Sequence, residues 1–235
     1  MRKKIAHISD PHVTDRESAD RFLALVRKMI MRYAPERWTI IITGDLVDHG
    51  NPEEFDLVNE GLSLLRIAGF RVYIVPGNHD YGAHGNFYSS KAHLLFLDLA
   101  EEIQGIREYP FKIDLDGARL LFLDSTAHNE EGEPFARGRI GARQIAWIET
   151  HLADEIPQWI VLHHHATWRN PFLAISDAED LQAIVDRRDN VRYLCGHRHA
   201  EDLELIAAGK FTECACVIEV DPVSGLAVTR SLDRK

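Results

Sequence analysis

Apolar and polar residues fall in blocks that switch between two periods along the chain. Residues 5–9 (IAHIS) read as a short buried strand, and 38–43 (WTIIIT) as a β-branched run suited to a strand covered on both faces. Between them, apolar side chains at 22, 26, 29, 30 and 33 form a helical stripe over 16–34 that stops before Pro35. Asn51-Pro52 opens a second helix, with Phe55, Val58, Leu62 and Leu65 on one face and Gly69 at its end. A third strand follows at 71–75. After a loop, a helical piece covers 92–99, and strands are expected at 111–116 and 120–124 around a turn at Asp116-Gly117. A helix over 142–152 turns Ile145, Ile148 and Leu152 inward, and a buried strand takes 159–163. Ser176-Asp177-Ala178-Glu179 has the form of a capping box ahead of a helix carrying Leu181, Ile184 and Val185. A strand at 191–195 and a hairpin of 211–220 with 226–231 complete the pattern. Strands alternating with helices predict an α/β layered fold, and the antiparallel-looking strands predict mixed sheets, two of them packed face to face.

Composition changes this picture little. The 235 residues are 45% hydrophobic and 27% charged, as in ordinary globular proteins, and a single domain over 1–235 is expected. No apolar run is long enough for a membrane span, and the start (MRKKIAHISD) lacks the apolar segment of a signal peptide, so a cytoplasmic protein is expected. A net charge of -10 repels polyanions and disfavours non-specific nucleic-acid binding. Cys195, Cys214 and Cys216 have no framework spacing and read as buried thiols.

The thirteen histidines matter more through their placement than their number. Five strand-like runs each end in a burst of metal-ligand types: ISDPH (Asp10, His12), TGDLVD (Asp45, Asp48), PGNHD (Asn78, His79, Asp80), LHHH (His163, His164, His165) and CGHRH (His197, His199). Any one burst is explained as a turn or a surface edge. Five together beyond strand ends point to one crevice, where α/β sheets place their sites. Clustered carboxylates and imidazoles without counter-charge are costly to bury, and divalent cations neutralise them. Nitrogen and oxygen donors without thiolate suit Mn, Fe, Zn, Co or Ni. Seven or more donors exceed one tetrahedral centre, so two ions sharing a carboxylate are expected, an arrangement that acts on phosphoesters. His7, His49, His84, His93, His128 and His151 read as surface or packing residues, with His84 and His128 beside motif-bearing or strand-end segments.

In this order the bursts resemble the calcineurin-like metallophosphoesterase superfamily: D-x-H, G-D-x-x-D, G-N-H-D/E, a lone His after a strand, and G-H-x-H. The resemblance implies a four-layer α/β/β/α sandwich of two mixed sheets with a two-metal centre at one rim. It implies Asp10, His12 and His199 on one metal, Asn78, His164 and His197 on the other, and Asp45 between them. His163 is the alternative to His164, because the proline that commonly follows the family's ligand is replaced by Ala166. His79 would sit behind the ligands, oriented by Asp48, and both are expected to be catalytic. The stretches GDLVDHGNPEEF and GRIGARQIAWIETHL look most like the branch of class III cyclic nucleotide phosphodiesterases and glycerophosphodiesterases. The expected function is hydrolysis of cyclic nucleotides or small phosphodiesters by a bridging hydroxide, on a small-molecule substrate, with a homodimer left open. The alternatives are a phosphomonoesterase or pyrophosphate hydrolase on the same site, and a non-catalytic scaffold of the same fold.

Overall fold

The computed structural model describes residues 3–126, 136–167, 170, 172–199 and 216–232. His128, Cys214 and the first part of the expected hairpin lie outside the described residues. The elements run β1 (Lys4–Ile8), α1 (Arg16–Arg32), β2 (Trp38–Thr43), α2 (Pro52–Ile67), β3 (Arg71–Val75), a short 3-10 turn (His79–Tyr81), β4 (Gly82–Ala83), β5 (Phe87–Tyr88) and α3 (Ser90–Gln104). They continue with β6 (Phe111–Leu115), β7 (Ala118–Phe122), α4 (Gly141–His151), β8 (Gln158–Val161), α5 (Ala178–Val185), β9 (Val191–Leu194), β10 (Cys216–Val220) and β11 (Ala227–Ser231).

Local chemistry explains most boundaries. Asp15 caps α1 in a reciprocal box with Ser18, and the helix ends at Arg32, short of the expected 34, because Tyr33 is already extended ahead of Pro35. Asn51 caps α2 by accepting from Glu54 N at 3.0 Å, and Pro52 supplies the first turn. α3 runs further than the expected 92–99. Ser89 caps it, buried Ala100 and Ile103 extend its stripe, and Gly105 ends it at φ +71. The capping box expected at 176–179 does not form. The Asp177 carboxylate instead accepts from Ile140 N and Gly141 N, at 2.8 and 2.7 Å, where α4 begins.

Two mixed sheets result. In the first, of order β11-β10-β1-β2-β3, the last three strands are parallel, and β10 runs antiparallel to β1. In the second, of order β6-β7-β8-β9, only β6 is antiparallel to its neighbour. The period-2 alternation of the second sheet sorts its side chains into two cores. Leu120, Phe122, Trp159, Val161 and Leu194 join the core of the first sheet, shared with α1, α2 and α3. Leu121, Ile160, Leu162, Tyr193 and Cys195 face the other way, onto α4 and α5. The layers are therefore helix, sheet, sheet, helix, as expected. Among the described residues no helix is long and apolar enough to cross a membrane.

Candidate metal centre

The five bursts lie beyond the carboxyl ends of β1, β2, β3, β8 and β9, all parallel within their sheets. Backbone bonds knit the first two loops together: Asp10 N donates to Gly44 O, His12 N to Asp45 O and Val13 N to Leu46 O, at 2.9–3.1 Å. The turns are tight enough to force side-chain-bearing residues into the left-handed region. Asp10, His12, Asp45, His197 and His199 have φ between +44° and +66°. Such strain persists only where the surroundings over-determine it, and it gathers at functional sites. Gly77 is required by contact instead, since a Cβ there would stand 2.2 Å from Asp45 Oδ1.

Two groups of donor atoms form around one carboxylate. Asp10, His12, Asp45 and His199 offer atoms all within 4.8 Å of one another, and so do Asp45, His163 and His197. In the first group His12 Nε2 lies 3.6 Å from Asp45 Oδ2 and 4.0 Å from Asp10 Oδ1, and His199 Nε2 lies 3.4 Å from Asp10 Oδ1. In the second, His163 Nε2 lies 3.2 Å from Asp45 Oδ2, 3.2 Å from Asn78 Oδ1 and 3.1 Å from His197 Nδ1. Asn78 Nδ2 donates to Gly85 O, which leaves its Oδ1 toward this group.

The structure departs from the sequence expectation at His164. The position meeting Asp45, Asn78 and His197 is held by His163, whose Nδ1 donates to Thr43 O at 2.7 Å and so leaves Nε2 the lone pair. His164 Nδ1 is paired with Ser125 Oγ at 3.0 Å, and the ring packs against Gly138. The alternation of β8 explains it: Trp159 and Val161 face the first sheet, Ile160 and Leu162 face the other way, and His163 continues the first series toward Thr43.

Asp48 stands behind the groups. Its Oδ1 accepts from His12 Nδ1 at 2.9 Å and from His79 Nδ1 at 3.0 Å. Those hydrogen bonds hold its carboxyl far below the usual carboxylate range. Burial works to raise the Asp45 carboxyl, but His163, His12 and His79 outweigh it and keep the group well below its ordinary value. Asp10 is likewise lowered, with burial opposed by His199 and His163. Burial would lower His163 and His79, yet Asp45 raises the first and Asp48 the second, each to about 9. His197 goes the other way, down to about 3, chiefly through burial. The buried carboxylates thus draw positive charge inward, as they would draw a cation.

A sharper test of fit is His12 Nε2. It is buried and has no hydrogen-bond partner, yet it faces the Asp10 and Asp45 carboxylates. A buried lone pair so placed is satisfied by a cation. The mixed nitrogen and oxygen donors fit a metal of the manganese-to-zinc series.

Two supporting residues had no assigned role from sequence. Asp80 accepts from Leu46 N, Val47 N and Gly77 N at 2.8–3.1 Å, pinning the loops after β2 and β3 to each other. Burial, then Asp45, pushes its carboxyl up to about 7. Glu54 is buried on α2 and accepts from His49 Nδ1 at 2.6 Å. Asp80 was visible within its motif, whereas Glu54 carried no signal beyond a helix's first turn. Beside the histidine run, a cavity of about 870 Å³ is lined by Arg137, Ala166, Thr167, Ser176 and Asp177 among others.

The model of the calcineurin-like phosphoesterase family matches residues 3–201. The glycerophosphodiester phosphodiesterase GpdQ of Enterobacter lignolyticus is 28% identical over 212 residues, covering 83% of this chain and 70% of that protein. The 3',5'-cyclic-nucleotide phosphodiesterase alr5338 of Nostoc sp. is 26% identical over 213 residues, 84% of this chain and 71% of its own length. Among solved structures, TT1561 of Thermus thermophilus superposes with a TM-score of 0.60 at 13% identity, over 99% of this chain and all of that one. The purple acid phosphatase PPD1 of yellow lupin gives 0.61 at 13% identity, over 85% of this chain and only 38% of that one, so both likenesses speak to fold. The matched span contains every strand whose end carries a clustered Asp, Asn or His, and the chain belongs to the calcineurin-like phosphoesterase family of metal-dependent phosphoester hydrolases.

Proposed function

We propose that the chain is a phosphodiesterase for cyclic nucleotides or small phosphodiesters, working at a two-ion centre. The observation that carries this reading is the Asp45 carboxylate, which belongs to both donor groups at once. Asp10, His12, Asp45 and His199 would hold one ion, and Asp45, Asn78, His163 and His197 the other. When bound, such a pair neutralises the non-bridging oxygens of a phosphoester and lowers the pKa of an attacking water.

The chain's own residues supply the rest. Asp48 accepts from His79 Nδ1, through Oδ1 and the backbone carbonyl, both at 3.0 Å, and so directs Nε2 away from itself. Gly85 leaves that nitrogen uncovered, because a Cβ there would come within 2.6 Å of it. A protonated Nε2 then donates to the departing ester oxygen. His79 N also donates to Asp45 Oδ1 at 3.0 Å, which locks the donor to the shared ligand. A diester is favoured over a monoester by the relatives, which are named for glycerophosphodiesters and cyclic nucleotides.

The test is hydrolysis of bis(4-nitrophenyl) phosphate against 4-nitrophenyl phosphate with manganese present, followed by a panel of cyclic nucleotides and glycerophosphodiesters. A higher kcat/KM on the diester is expected. A preference for the monoester would turn the reading to a phosphomonoesterase, and no hydrolysis of either to a scaffold.

A further inference from the structure

Among the described residues six other than glycine have a left-handed backbone. Five belong to the two donor groups around Asp45. The sixth is His84, at φ +52°, and it belongs to a different cluster. Asp48, His49 and His84 also offer donor atoms all within 4.8 Å of one another.

We propose that Asp48, His49 and His84 form a further site for a divalent cation that favours imidazole, such as zinc, at the outer edge of the metal centre. The donors are set for it. Glu54 accepts from His49 Nδ1 at 2.6 Å, and its other oxygen accepts from His49 N at 2.8 Å and Asp48 N at 3.3 Å. A buried carboxylate thus holds the Nδ1 proton and leaves Nε2 a lone pair, the arrangement that orients and strengthens histidine ligands. Asp48 has two faces: Oδ1 is taken by His12 and His79, while Oδ2 turns to His49 Nε2 at 3.8 Å. His84 N donates to Asp48 O at 3.2 Å, and its ring stands edge-on to that of His49, centroids 4.3 Å apart. The donors need to close by about an ångström to reach zinc–nitrogen and zinc–oxygen distances of roughly 2.0–2.2 Å. His84 is exposed and can make that movement.

The site would regulate the inner one. A cation on Oδ2 draws charge from the carboxylate that orients His79, so excess zinc inhibits. Counting the site as third rests on the two-ion reading, but the site itself does not.

The experiment dialyses zinc-loaded wild type, His84→Asn and His49→Gln against rising free zinc and counts ions per chain by atomic emission. Asparagine tolerates the left-handed backbone at 84, and glutamine keeps a polar group toward Glu54. Wild type should take up one more ion per chain than either variant. Zinc inhibition of bis(4-nitrophenyl) phosphate hydrolysis should move at least about tenfold to higher zinc in both variants, a scale that even outer-shell changes reach. Equal counts and equal inhibition in all three proteins would overturn the proposal. A failure of the two-ion reading looks different, since it lowers all three counts and leaves the difference of one.

Discussion

The two sheets build their shares of the metal centre by different means. The rim of the first sheet carries all the carboxylates and the amide, and its loops are held by their own backbone. Asp10, His12 and Val13 donate along the loop after β2, and Asp80 ties that loop to the one after β3. The rim of the second sheet adds imidazoles, and these lean across to the first sheet. His163 Nδ1 reaches Thr43 O, and His197 N reaches both Asp10 carboxylate oxygens at 3.2 Å. One rim is positioned locally, the other by sheet-on-sheet packing. The oxygen donors and His12 can therefore be placed before the sheets meet, whereas His163, His197 and His199 find their places only when they do.

Asp45 is where the two rims join, so its loss should have the largest effect. Asp45→Ala should lower metal content from two ions to at most one and take hydrolysis to background. Metal analysis beside the bis(4-nitrophenyl) phosphate assay checks both. Full metal content in active Asp45→Ala would separate the two donor groups.

The next comparison lies within the second rim. His163→Ala should lose one ion and lower turnover by about 10²-fold or more, the scale of a lost electrostatic contact to the transition state. His164→Ala should keep both ions and cost stability instead, about 1–3 kcal/mol, because the buried Ser125 hydroxyl keeps the backbone N–H of residue 164 but loses the ring nitrogen. Metal analysis and thermal melts of the pair decide it. The opposite result would restore the assignment implied by the family motif.

That pair also shows how far the sequence could be read. Asp10, Asp45 and Asn78 each follow an apolar run within three residues and stand beside proline or glycine, so their loops were legible from chain chemistry alone. The choice among three successive histidines was not. It depends on which face of β8 turns to the first sheet and on which ring meets Thr43, more than a hundred residues away. The layering was legible for the same local reason, since β7, β8 and β9 alternate between two cores. The capping box expected at Asp177 was not legible either, because its carboxylate serves a helix start 36 residues earlier.

A smaller effect concerns His7 on β1, inside the first sheet. The ring is fully buried, with Nε2 against Thr43 Oγ1 at 2.9 Å, and burial pushes its pKa from 6.5 down to about 3. The unfolded chain binds this proton first, so the stabilising contribution is complete above pH 6.5 and is lost as pH falls toward 3. By pH 5 the loss is about 2 kcal/mol. Chemical denaturation at pH 7 and pH 5 should show a pH dependence about that much smaller in His7→Gln than in wild type. An unchanged dependence would mean that His7 titrates alike folded and unfolded.

The smallest effect sets a local cap against a distant one. Asn51 caps its own helix, as the sequence indicates, and Asn51→Ala should cost about 1 kcal/mol. Asp177 accepts two backbone N–H groups from another segment with an ionised carboxylate, and hydrogen bonds to charged groups contribute roughly 1.5–3 kcal/mol. Asp177→Ala should therefore cost more than Asn51→Ala, by about 1 kcal/mol, in urea denaturation of the metal-loaded protein. It should also loosen the segment before α4, and with it Gly138 against His164, so amide exchange at Ile140 and Gly141 should quicken while that of α2 stays unchanged. If both variants lost the same stability and exchange quickened at neither end, the second sheet's surroundings would be held as locally as the first's, and the contrast between the rims would be confined to the histidines.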